Sequence, residues 1–496
     1  MFPTKITFAV LTAAFAFGCG SIAHAQDNGA LLDLLVRKRI ITDQEAEDLR
    51  GELTKDYSST AAGKLKMSQP LTELEIYGDA RVRYEIRNGN SGAPSTLVTN
   101  NDDAQQRNRA RYRIRLGLRG TLVDDWFFGL RLETSASPRS TNVTFGDDSG
   151  PFGKTNDGAF IGQAYLGYSG FRDVTLTAGR MPNPFVTTSM VWDGDLNPEG
   201  LAQQYKHTFN LSFGGGSAAA ATESYSKDGT ATVAAVSEPS KMSIDVFANF
   251  GQFVYDDTNP ENPIGPRSNG VPNTDAYLLG WQVGAKFNFT KDIYFRIAPT
   301  LYNYTGTGDS FYKHFTGDPD LLVVDPVTGA GTNTSLNQTG VNSLLVYEMP
   351  VDFGFKVGEL PVRLFGDFAV NLDAEDRARA AGHADQDDER YAYQLGVAVG
   401  NLKAKNNWQL QAFYQHAEQY SLDPNLVDSD IFDSRVNMEG FAVQAGYALS
   451  DAVTVNLTYA YGEQINDALG TGGAGDIGVN PLREFQLFQA DLSYKF

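Results

Sequence analysis

The sequence predicts an all-β fold, a transmembrane antiparallel β-barrel of about sixteen strands preceded by a short helical hairpin, and three observations predict it. The first is the stretch RNRARYRIRLGLRG, residues 107–120. Here Arg107, Arg109, Arg111, Arg113, Arg115 and Arg119 hold odd positions, while Ala110, Tyr112, Ile114, Leu116 and Leu118 hold even ones. Only a β-strand sends alternate residues to opposite faces. A strand with one cationic and one apolar face suits a wall that has water on one side and lipid on the other. Taken alone, the stretch could also be a basic ribbon for nucleic acid. The formal charge of -20, from 40 Lys+Arg against 60 Asp+Glu, argues against nucleic acid as the partner of the whole chain. The second observation is that only one long apolar run exists, Ile6 to Phe17, and it lies at the N-terminus. No other stretch reaches the ~18 consecutive apolar residues of a membrane helix, so any crossing is made by strands. The third is a sorting of the connections into tight polar turns and long loops, the asymmetry of outer-membrane barrels.

Residues 1–25 read as a secretory signal. Lys5 precedes the apolar run, and Ala23-His24-Ala25 has the small-x-small form of a cleavage site, so the mature chain is expected to start at Gln26. Cys19, the only cysteine, falls inside the signal. An acylated lipoprotein cysteine would need an aliphatic and a small residue where Ala16 and Phe17 stand. The mature chain is then expected to hold no thiol and no disulfide. Residues 26–56 read as a helical hairpin on the periplasmic side. Leu31, Leu32, Leu34 and Leu35 form an apolar stripe, Thr42-Asp-Gln-Glu45 has capping-box form, and Ala46, Leu49 and Leu53 continue a second helix. It suits either an oligomerisation or cell-wall contact or a small cap that packs on itself or under the barrel. Residues 57–70, small and polar, read as a linker.

From Leu71 to Phe496 the chain repeats alternating segments of about ten residues, the length a membrane strand needs. In the first, Leu74, Ile76, Ala80, Val82, Tyr84 and Ile86 point outward against Glu75, Tyr77, Asp79, Arg81, Arg83 and Glu85. Tyr277, Leu279, Trp281, Val283, Ala285, Phe287 and Phe289 alternate with Gln282, Lys286 and Asn288, and Val453, Val455, Leu457, Tyr459 and Tyr461 with Thr454, Asn456 and Thr458. Tight turns fall near 123–125, 170–172, 290–292, 358–360, 405–407 and 450–451. Loops rich in Gly, Asn, Asp and Pro fall near 88–106, 137–157, 182–200, 255–275, 305–340, 372–389, 418–435 and 463–482. Both chain ends then lie on the short-turn, periplasmic side. Residues 213–241 break the rule as a Ser/Ala/Gly-rich insertion on that side, with a small hairpin expected around Lys227-Asp228-Gly229. Were both of its flanking runs in the barrel, the strand count would rise to about eighteen. Trp126 and Trp408 each follow a short turn, where an interfacial aromatic girdle is expected.

Catalysis has little to stand on. His207, His314, His383 and His416 belong to no nucleophile or metal motif, and no phosphate-cradling glycine motif occurs. The run Asp385-Gln-Asp-Asp-Glu389 lacks the regular spacing of a divalent-ion loop and reads as solvated. No cofactor or metal is expected. The loop GRMPNPFVTTSMVWDGDLNPEG, residues 179–200, is more informative: Asp193, Asp195 and Glu199 sit in it beside Trp192.

With this third long loop, a signal, about sixteen alternating strands and Phe496 as last residue after Tyr494, the chain resembles bacterial outer-membrane porins. LLDLLVRKRIITDQEAEDLRGEL together with MPNPF and WDGDLNPEG is similar to the branch of them that carries a helical segment ahead of the barrel. The resemblance covers essentially the whole mature chain and implies passive diffusion of small hydrophilic solutes and ions across the cell outer membrane. It also implies, by position, a constriction with Asp193, Asp195 and Glu199 on an acidic loop. The basic wall facing it would be Arg81, Arg83, Arg109, Arg111, Arg113, Arg115 and Arg131. The loop lacks the motif of the best-known enterobacterial porins. Tyr494 and Phe496 resemble the terminal signal read by the barrel assembly machinery, and a homotrimer embedded in outer-membrane lipid is implied by resemblance only. Two rivals are a ligand-selective channel that uses the arginines as a track for anionic solutes, and an outer-membrane adhesin or enzyme. The missing catalytic constellation counts against the latter. A plugged transporter would need more than residues 26–70 ahead of the barrel.

Overall fold

A computed structural model of the chain describes residues 37–38, 42, 44–47, 70–91, 104–135, 140–146, 158–212, 224–225, 231–232, 241–256, 276–305, 322–324, 331–333, 340–381, 383–473, 475–477, 479 and 481–496. The chain falls into two compact units, Met1–Gln69 and Pro70–Phe496. The expected signal, most of the hairpin and nearly all of the linker lie outside the described residues. Within the first unit Thr42 and Glu45 form the reciprocal cap. The Thr42 amide donates to Glu45 Oε2 at 2.8 Å and the Glu45 amide to Thr42 Oγ1 at 3.2 Å, at the start of the helical turn 44–47.

The second unit is a closed antiparallel barrel of sixteen strands. They are β1 (Leu71–Asn90), β2 (Ala104–Leu122), β3 (Trp126–Ser135), β4 (Gly158–Phe171), β5 (Val174–Arg180), β6 (Glu199–Ser212), β7 (Lys241–Asp256), β8 (Ala276–Asn288), β9 (Tyr294–Ile297 and Thr300–Thr305), β10 (Leu345–Glu348 and Val351–Val357), β11 (Leu360–Asn371), β12 (Tyr391–Gly400), β13 (Trp408–Ala417), β14 (Met438–Ala448), β15 (Val453–Gln464) and β16 (Glu484–Lys495). The breaks in β9 and β10 fall at Pro299 and Pro350, which have no N–H to give the ladder. Each strand pairs with its neighbours in sequence, and β1 closes on β16 through a register from Asp79↔Lys495 to Asn90↔Glu484. Ser224–Tyr225 pairs with Ala231–Thr232 in a sheet separate from the barrel, as the expected small hairpin requires, and among the described residues the insertion adds no spanning strand.

The period-two pattern becomes two surfaces. Val82 on β1 and Leu395 on β12 are 52% and 63% exposed on the outer face, while Arg83, Glu85 and Gln394 beside them in the chain are buried on the inner one. Trp126 and Trp408 are exposed at the short-turn rim. The C-terminus lies on the closure seam. Phe496 and Gly78 exchange backbone hydrogen bonds at 3.0 and 3.1 Å, and the Phe496 ring stacks on Tyr494 on the outer face and covers Gly78, where a Cβ would lie 2.7 Å from it.

The long loops depart from a simple outward array. Met181, Phe185, Met190, Val191 and Trp192 of the third loop (residues 181–198) form one buried cluster with Ala202, Phe253, Leu278 and Tyr302, inner-face residues of β6 to β9. Ile431 and Phe432 of the seventh loop (residues 418–437) and Ile477, Val479 and Leu482 of the eighth (residues 465–483) form another with Phe413 and Phe485 of the wall. These loops take their apolar side chains into the barrel because no other dry surface is in reach. The lumen therefore carries a core of its own.

Candidate pore-lining site

The register of β1 against β2 sets Arg81 opposite Arg113, Arg83 opposite Arg111, Glu85 opposite Arg109 and Asp79 opposite Arg115, all with inward parity. Opposed like charges repel unless acids intervene, and acids from the wall do so. Asp79 lies 2.9 Å from Arg113 and 2.6 Å from Arg115. Glu85, fully buried, takes Arg109 Nε and lies 3.4 Å from Arg87 and 3.6 Å from Arg111. Asp491 of β16 takes Arg83 through two parallel bonds of 2.7 and 2.9 Å, the bidentate geometry a guanidinium favours.

The remaining counter-charge arrives from the loops. Asp430 accepts from Arg83 at 2.6 Å and from Arg87 at 2.9 Å, and Asp433 from Arg87 at 2.9 Å. Asp476 of the eighth loop pairs with Arg109 and, at 3.2 Å, with Arg107. Arg435 reaches across from the seventh loop to the carbonyls of Thr471, Gly473, Ile477 and Val479 at 2.9 to 3.2 Å. Most of the arginine wall is thus a lattice that ties the loops to β1 and β2.

The residues expected from sequence are brought together unevenly. Asp195 lies 3.6 Å from Arg113 and 3.5 Å from Arg115, opposite the wall. Among the described residues Asp193 pairs with no arginine; it accepts the amides of Asp195 and Ser429 at 2.9 and 3.0 Å and so joins the third loop to the seventh. Glu199 departs from expectation altogether. It opens β6, is exposed, and pairs with Arg180 at 2.9 Å, because the strand starts one residue before the expected loop ends. Arg131 pairs with Glu133 of its own strand at 2.8 Å rather than with the third loop. On the opposite wall the third loop is pinned by Gln282 of β8, which accepts from the Val186 amide at 2.9 Å and donates to its carbonyl at 2.8 Å. Thr187 and Thr188 donate there to Glu348 and Asp367.

Asp79, Glu85, Arg87 and Asp491 were not singled out from sequence as site residues, although their inward parity was readable. Asp430, Asp433, Asp476 and Arg435 carried no periodic signal at all. Phe432, Asp433 and Ser434 are three consecutive non-glycine residues at φ 56°, 58° and 58°, a left-handed run that costs roughly 1–2 kcal/mol per residue and persists because its contacts hold it. The loop carboxyls divide accordingly. Burial, with Asp195 close by, raises Asp193 to about 6, and burial, with Asp193 and Asp430 close by, raises Asp428 to about 8. Burial acts the same way on Asp430 and Asp476, but Arg83 and Arg87 hold the first far below the ordinary carboxylate range, and Arg87 and Arg109 bring the second to about 2.

Beneath the seventh loop a cavity of about 400 Å³ remains between the arginines and the inner faces of β13 to β16. Arg81, Arg83, Arg113 and Lys495 line it together with the carboxylates of Asp428, Asp430, Asp451 and Asp491, and Gln409, Gln411, Gln444, Asn456 and Gln489 add side-chain amides. Among the described residues no group of three or more His, Cys, Asp or Glu is arranged to hold a metal.

An apolar outer face, a charged and polar inner face and loops folded into the lumen together define an outer-membrane channel barrel. The family comparison places it further: the chain belongs to the porin family described as "Putative porin", whose model matches residues 66–310 and 345–496. The family and the fold are those of non-enzymatic channels of the outer membrane. The solved structures similar to the chain include the following two. One is a triple mutant of the Rhodopseudomonas blastica porin, 10% identical over 86% of this chain and 100% of that one, at a TM-score of 0.36. The other is OmpT, an outer membrane protein of Vibrio cholerae folded in vitro, 12% identical over 87% of this chain and 100% of that one, at a TM-score of 0.38. None of the curated proteins matches.

Proposed function

We propose that this porin passes small hydrophilic solutes and ions by passive diffusion, with ion choice set where Asp195 of the third loop faces Arg113 and Arg115. The observation that carries the reading is the cavity between the arginine wall and the inner faces of β13 to β16, lined mainly by charged and amide side chains that suit hydrated solutes. A signal at 1–25, a periplasmic hairpin at 26–56, a linker at 57–70, recognition of Tyr494 and Phe496 by the assembly machinery, and a homotrimer complete the proposal. Single-channel recording in a salt gradient tests it. Wild-type protein should form steady open pores, and Asp195→Asn should move the reversal potential toward anion preference, most at low salt, where the Debye length exceeds ~8 Å. A folded barrel that does not conduct, or an unchanged reversal potential at low salt, refutes it.

A second reading, a channel selective for anionic solutes, is favoured by Arg81. It lines the cavity, and its nearest carboxylate among the described residues is 3.9 Å away.

A further inference from the structure

We infer that the lumen cavity is a subsite for a small polyhydroxylated anion, a sugar acid or sugar phosphate, with Arg81 and Arg113 taking the anionic group and the amides of β13 and β14 taking hydroxyls. The inference rests on the anion-selective reading and deepens it.

Arg83, Arg87, Arg107, Arg109, Arg111, Arg113 and Arg115 each have a carboxylate oxygen within 3.6 Å. Arg81 has none so close. Its approach to Asp491 is 3.9 Å, and both oxygens of that carboxylate are already taken by Arg83. What Arg81 does hold is neutral: its Nη2 donates to Asn142 Oδ1 at 2.6 Å. A guanidinium that is mostly buried, has one hydrogen bond to an amide and lines the cavity without a close carboxylate carries a charge that an oxyanion can balance. Arg113, paired across the strands with Arg81, lines the same cavity.

The facing wall decides what accompanies the anion. Gln411 Nε2 donates to Gln444 Oε1 at 3.2 Å, which leaves the Gln411 carbonyl and the Gln444 amine of these two lining residues for a solute. A donor beside an acceptor matches a hydroxyl, which is both. Asn456 and Gln489 extend that amide surface, and no aromatic ring lines the cavity, so nothing there suits stacking of a flat solute. Its volume of about 400 Å³ lies within the ≈ 300–1,000 Å³ of small-molecule sites. A bare inorganic anion would leave the amides unmatched, and a neutral polyol would leave Arg81 unmatched. A solute carrying both groups satisfies both walls, while the lining carboxylates of Asp430 and Asp491 stay paired with Arg83.

The test uses the full chain in planar bilayers, with gluconate, glucose 6-phosphate, acetate or sorbitol added to one side. Gluconate or glucose 6-phosphate should reduce the current saturably, at concentrations about tenfold or more below those at which acetate or sorbitol acts. Whichever of the two is stronger identifies carboxylate or phosphate as the preferred head. Arg81→Gln should weaken that block about tenfold or more, and Gln444→Leu should weaken it while leaving the acetate response unchanged. Acetate as effective as gluconate, no saturation in a conducting pore, or a block indifferent to both variants overturns the subsite. Titration calorimetry on the detergent-solubilised protein with the same four solutes separates the two readings. Gluconate or glucose 6-phosphate binding in a barrel that does not conduct would sink the channel reading and keep the subsite, while conduction without binding would do the reverse.

Discussion

Arg87 is the residue through which the wall holds the seventh loop, and Arg87→Gln removes its charge while leaving a shorter polar side chain. The side chain is 1% exposed and donates to Asp430 and Asp433 at 2.9 Å and to the Ser429 carbonyl at 3.0 Å. Taking away one partner of a buried ion pair costs about 3–5 kcal/mol, because the other charge stays behind without compensation. Asp433, fully buried, is that charge. Its backbone and those of Phe432 and Ser434 are left-handed and gain by release, whereas Arg83 on Asp430 and Arg435 on the eighth loop still oppose opening. The lower end of the range therefore applies, and at about 1.4 kcal/mol per tenfold the opening equilibrium should rise about 10²-fold. Hydrogen exchange in detergent reads this at the Asp476 and Ile477 amides, which donate to Asp433 at 2.9 and 3.0 Å. Their protection should fall by that factor while β8 amides keep theirs. A change below about threefold in a barrel that remains folded would refute the view that this lattice holds the loop.

Two further outcomes are expected. Asp193 and Asp428 have native pKa values of about 6 and about 8, above the ordinary 3.8, so the packed loops bind protons more tightly than open ones. The stability this confers is complete below about pH 4 and is lost as pH rises through those values. After correction for intrinsic rates, the Ser429 amide should exchange faster at about pH 9 than at about pH 5, and Asp428→Asn should flatten the dependence; a profile already flat in the wild type contradicts the assignment. On the outer face, Leu395→Arg in mid-β12 should cost ~2–4 kcal/mol in reversible folding into lipid vesicles, and a cost near zero would mean that this face does not meet lipid.

The parity of the arginines in β2 was legible in the chain because it is a local property: each side chain's face follows from its neighbours two residues away. The same rule placed Trp281 and Val283 outside and Gln282 inside, and the turn residues marked where each pair of strands reverses. Sixteen strands, their order and the closed outer surface follow from repeating that rule, since antiparallel neighbours joined by short turns leave little choice of partner. The disposition of the arginines was a different matter. From sequence, Arg109 and Arg111 read as an open cationic wall; in the fold, Glu85 and Asp476 enclose them. Glu85 shares their strand pair and could have been read by parity. Asp430, Asp433 and Asp476 could not, because an irregular loop has no period from which a direction follows.

What the sequence determined by itself is therefore the barrel, its two faces and the sidedness of its connections, all set by alternation and turn chemistry within a few residues. What only the tertiary structure decided is which charges remain in the lumen. Loops 181–198, 418–437 and 465–483 meet the wall across hundreds of residues of chain, as Arg83 meets Asp430 and Asp491. Whether a guanidinium faces water or a carboxylate is settled by that closure, since the energy of an ion pair depends on distance and burial, which composition does not carry. Arg81 is left without a close carboxylate for the same reason: the loops that neutralise its neighbours stop short of it.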